Sequence, residues 1–146
     1  MRPLLVGESN PYGSGAAFAL FPRPERSAGG RLCRVVLGMR EVDYLARFDR
    51  CNLLGPLPAG KWDRELARAA ARDVLIERPN RRLILLGARV AAAFGMEFRP
   101  FEVEPRRGWA ALMLPHPSGR CRIWNDPMAV VQARNAVERF APEAYA

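Results

Sequence analysis

Trp109-Ala110-Ala111-Leu112-Met113-Leu114-Pro115-His116-Pro117-Ser118-Gly119-Arg120 is a short apolar run that opens into a polar loop. Six apolar residues stopped by Pro read as a buried strand. Each proline fixes its own φ and pushes the residue before it toward extended geometry. The only histidine of the chain, His116, is therefore held on a stiff loop at a strand end, where α/β proteins place their chemistry. The other end of the chain repeats the form. Arg2–Gly7 reads as a strand, and Gly7-Glu8-Ser9-Asn10-Pro11-Tyr12-Gly13 follows it. Two rigid polar loops after two apolar strands point to one site built from both termini.

Between these ends the pattern alternates. Glu8 to Gly30 is rich in Gly, Pro and Ser, and a compact domain rarely keeps so much irregular chain without using it. Arg31–Leu37 and Glu41–Phe48 carry apolar residues at helical spacing: Leu32, Val35 and Val36, then Val42, Leu45 and Phe48. Arg50–Leu54 reads as a second strand closed by Gly55-Pro56. Asp63–Glu77 follows as a helix with Trp62, Leu66, Ala70 and Val74 along one stripe. Arg82–Leu86 is a third strand, which Gly87 turns into the helix Ala88–Phe94; Trp109–Leu114 is the fourth. A last helix starts at Asp126-Pro127, an N-cap followed by proline at the first helical position, and runs to about Phe140. Glu102 and Glu104 read as exposed charges on a connector, and Arg78, Arg81 and Arg82 as a solvated cluster. The order βααβαβαβα predicts a single α/β domain over residues 1–146, a three-layer α/β/α sandwich around a four-stranded, mainly parallel sheet. Loops after the strands then gather at one sheet edge.

Composition narrows the function classes. No run reaches the roughly 18 apolar residues of a membrane span. The N-terminus enters a strand with no signal-peptide pattern, so the expectation is a cytoplasmic protein, nucleoid-associated if bacterial, with no membrane partner. Cys33, Cys51 and Cys121 form no CxxC pair, which argues against a disulfide framework, a zinc knuckle or an iron–sulfur cluster. Three reduced thiols are expected, two of them facing the core. The net charge is +8, and every basic residue except Lys61 is arginine. Such a balance favours a polyanion through phosphate contacts and counterion release. Codon bias toward Arg and ordinary solubility charge are the plain alternative and carry a real share of the weight.

The loops resemble those of the uracil-DNA glycosylase superfamily, over nearly the whole chain although each motif is short. Gly7-Glu8-Ser9-Asn10-Pro11-Tyr12-Gly13 is similar to that family's loop of Gly, a variable stretch, Asp or Asn, Pro, then Tyr or Gly. His116-Pro117-Ser118-Gly119 is similar to its His-Pro-Ser loop. Asn52 ends the second strand where the family carries a base-reading Asn, and Phe18 follows the first loop like the family's base-stacking Phe. The resemblance implies a monofunctional DNA glycosylase that hydrolyses the N-glycosidic bond of uracil, or of a related modified base, flipped out of single- or double-stranded DNA. It implies base excision repair as the setting and a monomer that needs no cofactor and no metal. His116 would donate to the base carbonyl as the base leaves as an anion. Asn10 would position water, with Glu8 as the second candidate, because two residues rather than one separate Gly7 from Asn10. Asn52 would pair with the uracil edge, Phe18 would stack on it, and Tyr12 would crowd the C5 position. Ser118 and Gly119 would let the loop approach a phosphate, with Arg120 filling the hole left by the base and Arg122 adding contacts to DNA.

Each residue also has an ordinary reading. A lone histidine is most often structural, Asn10-Pro11-Tyr12-Gly13 is a good turn in any protein, Asn52 suits a turn start, and Phe18 and Phe21 suit a core and can exchange roles. The alternative function is a non-catalytic nucleic-acid-binding module on the same fold that recognises modified bases. An unrelated α/β enzyme acting on a small phosphorylated substrate is disfavoured because no GxGxxG or P-loop pattern is present.

Overall fold

Alternation of side chains across a buried parallel sheet is the rule that organises this chain. The computed structural model describes residues 1–10, 15–56 and 61–146. Its strands are β1 (Leu4–Ser9), β2 (Asp49–Leu54), β3 (Arg82–Leu86), β4 (Val103–Arg106) and β5 (Trp109–Leu114), in the spatial order β2-β1-β3-β5-β4. The first four of that order pair in parallel and β4 is antiparallel to β5. The helices are α1 (Ala28–Arg31, continued by a wider π turn over Leu32–Val36), α2 (Glu41–Arg47), α3 (Arg64–Glu77), α4 (Ala88–Ala93) and α5 (Pro127–Phe140). The chain is α/β with a five-stranded, mostly parallel sheet, so the expected count of four strands is corrected to five.

The missing strand was hidden by Pro105 and by the charged run around it. Proline cannot donate to a ladder and is tolerated only at a sheet edge, which is where β4 lies, with Pro105 opposite Ala110. The two-residue link Arg107-Gly108, with Gly108 at φ 83°, makes the hairpin.

Leu5, Ile84, Leu86, Leu112 and Leu114 project to one face, where they pack with the α1 continuation, α2 and α5; Tyr44, Phe48 and Trp124 fill that core. Leu4, Val6, Leu83, Leu85, Ala111 and Met113 project to the other, against α3 and α4. The sheet therefore has a helical layer on each side. α3 presents Ala67 and Ala71 to this second core, whereas Leu66, expected in its stripe, is 59% exposed; small side chains let the helix sit close to the sheet. Val42 is likewise exposed, and Tyr44 and Phe48 take the inward positions of α2. Asp126 and Asp63 cap α5 and α3 through backbone N–H groups of the first turn. Arg82, expected to be solvated, donates to the carbonyls of Met1 and Phe140 and pairs with Glu143, which ties the two chain ends together. Cys33 and Cys51 are buried and Cys121 is partly exposed, all three as thiols; burial pushes the Cys51 thiol up to about 11.

Candidate functional site at the carboxyl edge of the sheet

Because β1, β2, β3 and β5 run in parallel, their following loops meet at one edge. A cleft of about 1000 Å³ opens there. Its walls bring together Glu8 and Asn10 from the end of β1, Phe18 and Phe21, Asn52 from β2, and His116, Ser118, Gly119 and Arg120 from the loop after β5. Residues more than a hundred positions apart in sequence thus share one cavity, as the two terminal loops foretold.

His116 is fixed on three sides. Its Nδ1 accepts the Ser118 backbone N–H at 3.1 Å, and its carbonyl accepts the Trp124 indole N–H at 2.9 Å. Arg31 donates to the Pro117 carbonyl at 3.1 Å. An Nδ1 that accepts leaves the proton of a neutral imidazole on Nε2. That nitrogen faces Glu8 Oε2 at 3.9 Å. Burial is the strongest influence on His116 and holds it below the ordinary imidazole range; Glu8 pulls it upward and Arg89 pushes it down. In its neutral form the ring presents an Nε2–H donor to the cleft.

Glu8 leaves β1 toward the α3/α4 side, where Arg89 Nη1 stands 3.6 Å from its Oε1. Gly87 makes this approach feasible. At φ 97° and ψ 167° it occupies backbone space that is essentially glycine's own. A Cβ there would stand 3.2 Å from His116 Cβ and 3.7 Å from Glu8 Oε2. The Gly87 N–H also donates to the Leu114 carbonyl at 2.8 Å, which docks the turn on the end of β5.

The opposite wall is aromatic and amide. Gly7 pairs with Asn52 in register, and a Cβ on Gly7 would stand 2.4 Å from Asn52 Oδ1. The glycine therefore makes room for the amide, whose Oδ1 is buried with no hydrogen-bond partner among the described residues. Such an orphan acceptor is uncommon in a native interior and calls for an explanation. Phe18 is 58% exposed and meets Phe21 edge-on at 5.7 Å between centroids. Its segment is held from behind: Tyr44 Oη donates to the Leu20 carbonyl at 2.7 Å and Arg50 to the Ala19 carbonyl at 2.8 Å. Leu20 sits at φ 51°, unusual for a branched side chain, and lines the cleft.

Asn10 is buried and its Nδ2 donates to the Phe18 carbonyl at 3.1 Å. Arg23 is locked by paired hydrogen bonds to Glu41. Arg26 and Arg120 stand exposed at the rim, outside any ion pair among the described residues. Arg122 is exposed on a short turn (Arg122–Asn125) and does not line the cleft. Tyr12 lies outside the described residues. Sequence reading missed Arg89, Arg31 and Tyr44. Arg89 had a signal, since it is the second residue after a strand-terminal glycine; Arg31 and Tyr44 act only through tertiary contacts and had none.

Among the described residues, no group of histidine, cysteine and carboxylate side chains could hold a metal ion, and no helix is long and apolar enough to cross a membrane. No protein-family pattern matches this chain, and no curated protein matches it.

Proposed function

We propose that the chain is a DNA glycosylase that hydrolyses the N-glycosidic bond of a flipped uracil or closely related base, on a fold of the uracil-DNA glycosylase kind. The observation that carries the reading is the loop-locked His116 Nε2 3.9 Å from the Glu8 carboxylate, in a cleft that also offers an exposed phenyl face and an amide oxygen without a partner among the described residues. A base stacked on Phe18 would place a carbonyl toward His116. A turn about the soft last torsion of Asn52 would bring its oxygen to the base N–H. Cleavage of the bond between base and C1′ leaves the electron pair on the base, and a donor aimed at that developing charge is worth about 10²–10³ in rate. Water then forms the new bond to C1′.

The first loop offers two residues for water activation, Asn10 and Glu8, and their surroundings support Glu8 as the first candidate. Asn10 holds up the Phe18 segment, while Glu8 is half-buried beside His116. We assign water activation to Glu8, whose carboxylate accepts the proton released by water and counters positive charge on the sugar; a positioned base of this kind contributes about 10²–10⁴. Arg26 and Arg120 at the rim would face the phosphates. The binding-module reading draws support from one observation, the engagement of the Asn10 amide away from solvent.

One assay separates the two: release of free base from uracil-containing oligonucleotides, single-stranded and opposite A or G, in chelator. The expected result is base release by the native protein that falls at least a hundredfold in His116→Ala, consistent with loss of one such donor. DNA binding without base release supports the binding module. Undiminished release by His116→Ala overturns the site.

A further inference from the structure

A second cavity lies on the other side of Glu8. It measures about 760 Å³ and sits between α3 and α4. Its walls carry Lys61, Arg64, Arg68 and Arg89, with Trp62 and a floor of alanines, and no carboxylate among the described residues. Arg64 and Arg68 are one helical turn apart on α3, so their like charges stack along a single face. That arrangement is unfavourable until an anion enters. Neither residue, nor Lys61, takes part in an ion pair among the described residues, and all three are exposed. Arg89 is ordered between two partners, with its guanidinium 5.7 Å from the Trp62 ring centroid and its Nη1 3.6 Å from Glu8 Oε1. The pair Glu8–Arg89 is thus the partition between this cavity and the cleft.

We infer that the α3/α4 cavity is a phosphate-binding subsite that takes the sugar–phosphate backbone of the nucleic-acid strand whose base occupies the cleft. This rests on the reading of the cleft as a nucleic-acid site. Four cations lined up around an alanine floor suit an extended anion better than a planar apolar ligand, and guanidinium forks match phosphate oxygens. The shared wall means that a strand with one base at His116 needs to cross only Arg89 to reach Arg64 and Arg68.

The test is the salt dependence of binding of a labelled single-stranded oligonucleotide, followed by fluorescence anisotropy from about 50 to about 200 mM salt. Three proteins are compared: the native chain, Arg64→Gln/Arg68→Gln, and Arg107→Gln/Arg139→Gln, which removes the same charge from exposed positions lining neither cavity. The slope of log affinity against log salt should fall by about 0.7 for each phosphate no longer neutralised in the first variant and stay near the native value in the second. Equal slopes in all three proteins overturn the subsite, as does an equal fall in both variants, which would mark net charge alone. A native chain that binds no DNA overturns both the subsite and the glycosylase reading. A selective fall in slope without any base release leaves the subsite standing and removes only the glycosylase.

Discussion

The two cavities at the carboxyl edge share one ion pair but are built from opposite materials. The cleft on the α1/α5 side is lined by aromatic rings, amides and one imidazole, with its cations at the rim. The cavity on the α3/α4 side is lined by alanines and by Lys61, Arg64, Arg68 and Arg89, with Trp62 as its one ring. The difference follows from what covers each face of the sheet. On one face the helical layer is joined, at the cleft, by irregular segments held by Tyr44, Arg50 and Arg31, which offer backbone and aromatic edges. The other is covered by two helices that approach closely through alanines, so only long side chains reach the space between them. Selective chemistry needs the first kind of wall and charge complementarity is satisfied by the second.

The sharpest way to break this comparison is at their boundary. Glu8→Gln should lower base release about a hundredfold or more while leaving affinity for DNA nearly unchanged, as expected for loss of a positioned base. Asn10→Ala should act on the same loop differently. Losing its bond to the Phe18 carbonyl costs on the order of 1 kcal/mol of stability and loosens the stacking face, so KM should rise more than kcat falls. Steady-state kinetics of the two variants side by side decide the matter; a larger kcat loss in Asn10→Ala would return water activation to Asn10.

Gly87→Ala probes the turn that lets Glu8 and His116 face each other. A side chain at φ 97° beside His116 Cβ should cost on the order of 1–3 kcal/mol, read as a lowered Tm. Base release should drop with it even where the protein remains folded. A neutral effect on both would mean that the turn relaxes freely and the His116–Glu8 distance is not set by it.

The smallest effect is the titration of His116, followed by NMR. Its midpoint should lie below the ordinary value of about 6.5, since burial dominates. Glu8→Gln removes the upward influence and should lower the midpoint further, whereas Arg89→Gln should raise it. The stability linked to this group has a definite sign. Because folding depresses its pKa, the contribution is complete above about pH 6.5 and is lost as pH falls toward the folded value. Destabilisation confined to alkaline pH would contradict the burial of His116.

Most of the architecture was legible because local rules agreed with the tertiary result. Apolar runs marked the four parallel strands, although β1 extends to Ser9, so Glu8 and Ser9 belong to the strand rather than to the loop expected after Gly7, and β2 begins at Asp49; Gly87 and Asp126-Pro127 marked the helix starts. β4 was not legible, since Pro105 and its charged neighbours look like a connector until β5 supplies a partner for the edge. Of the stripe expected on α3, Trp62, Ala70 and Val74 pack against the second core, whereas Leu66 points outward and Ala67 and Ala71 are buried there.

The sequence by itself determined that the loop after β1 and the loop bearing His116 would meet, because parallel strands oblige their following loops to share an edge. It also determined which residue types would be there. Only the tertiary structure decided how they are used. It tied Asn10 to the Phe18 carbonyl, turned Glu8 toward His116, left Asn52 Oδ1 beside Gly7 without a partner among the described residues, and put Arg89 between two cavities. The physical reason is range: strand order and loop stiffness follow from neighbours along the chain, whereas the direction of a polar side chain follows from the burial and charge of residues brought together from far apart.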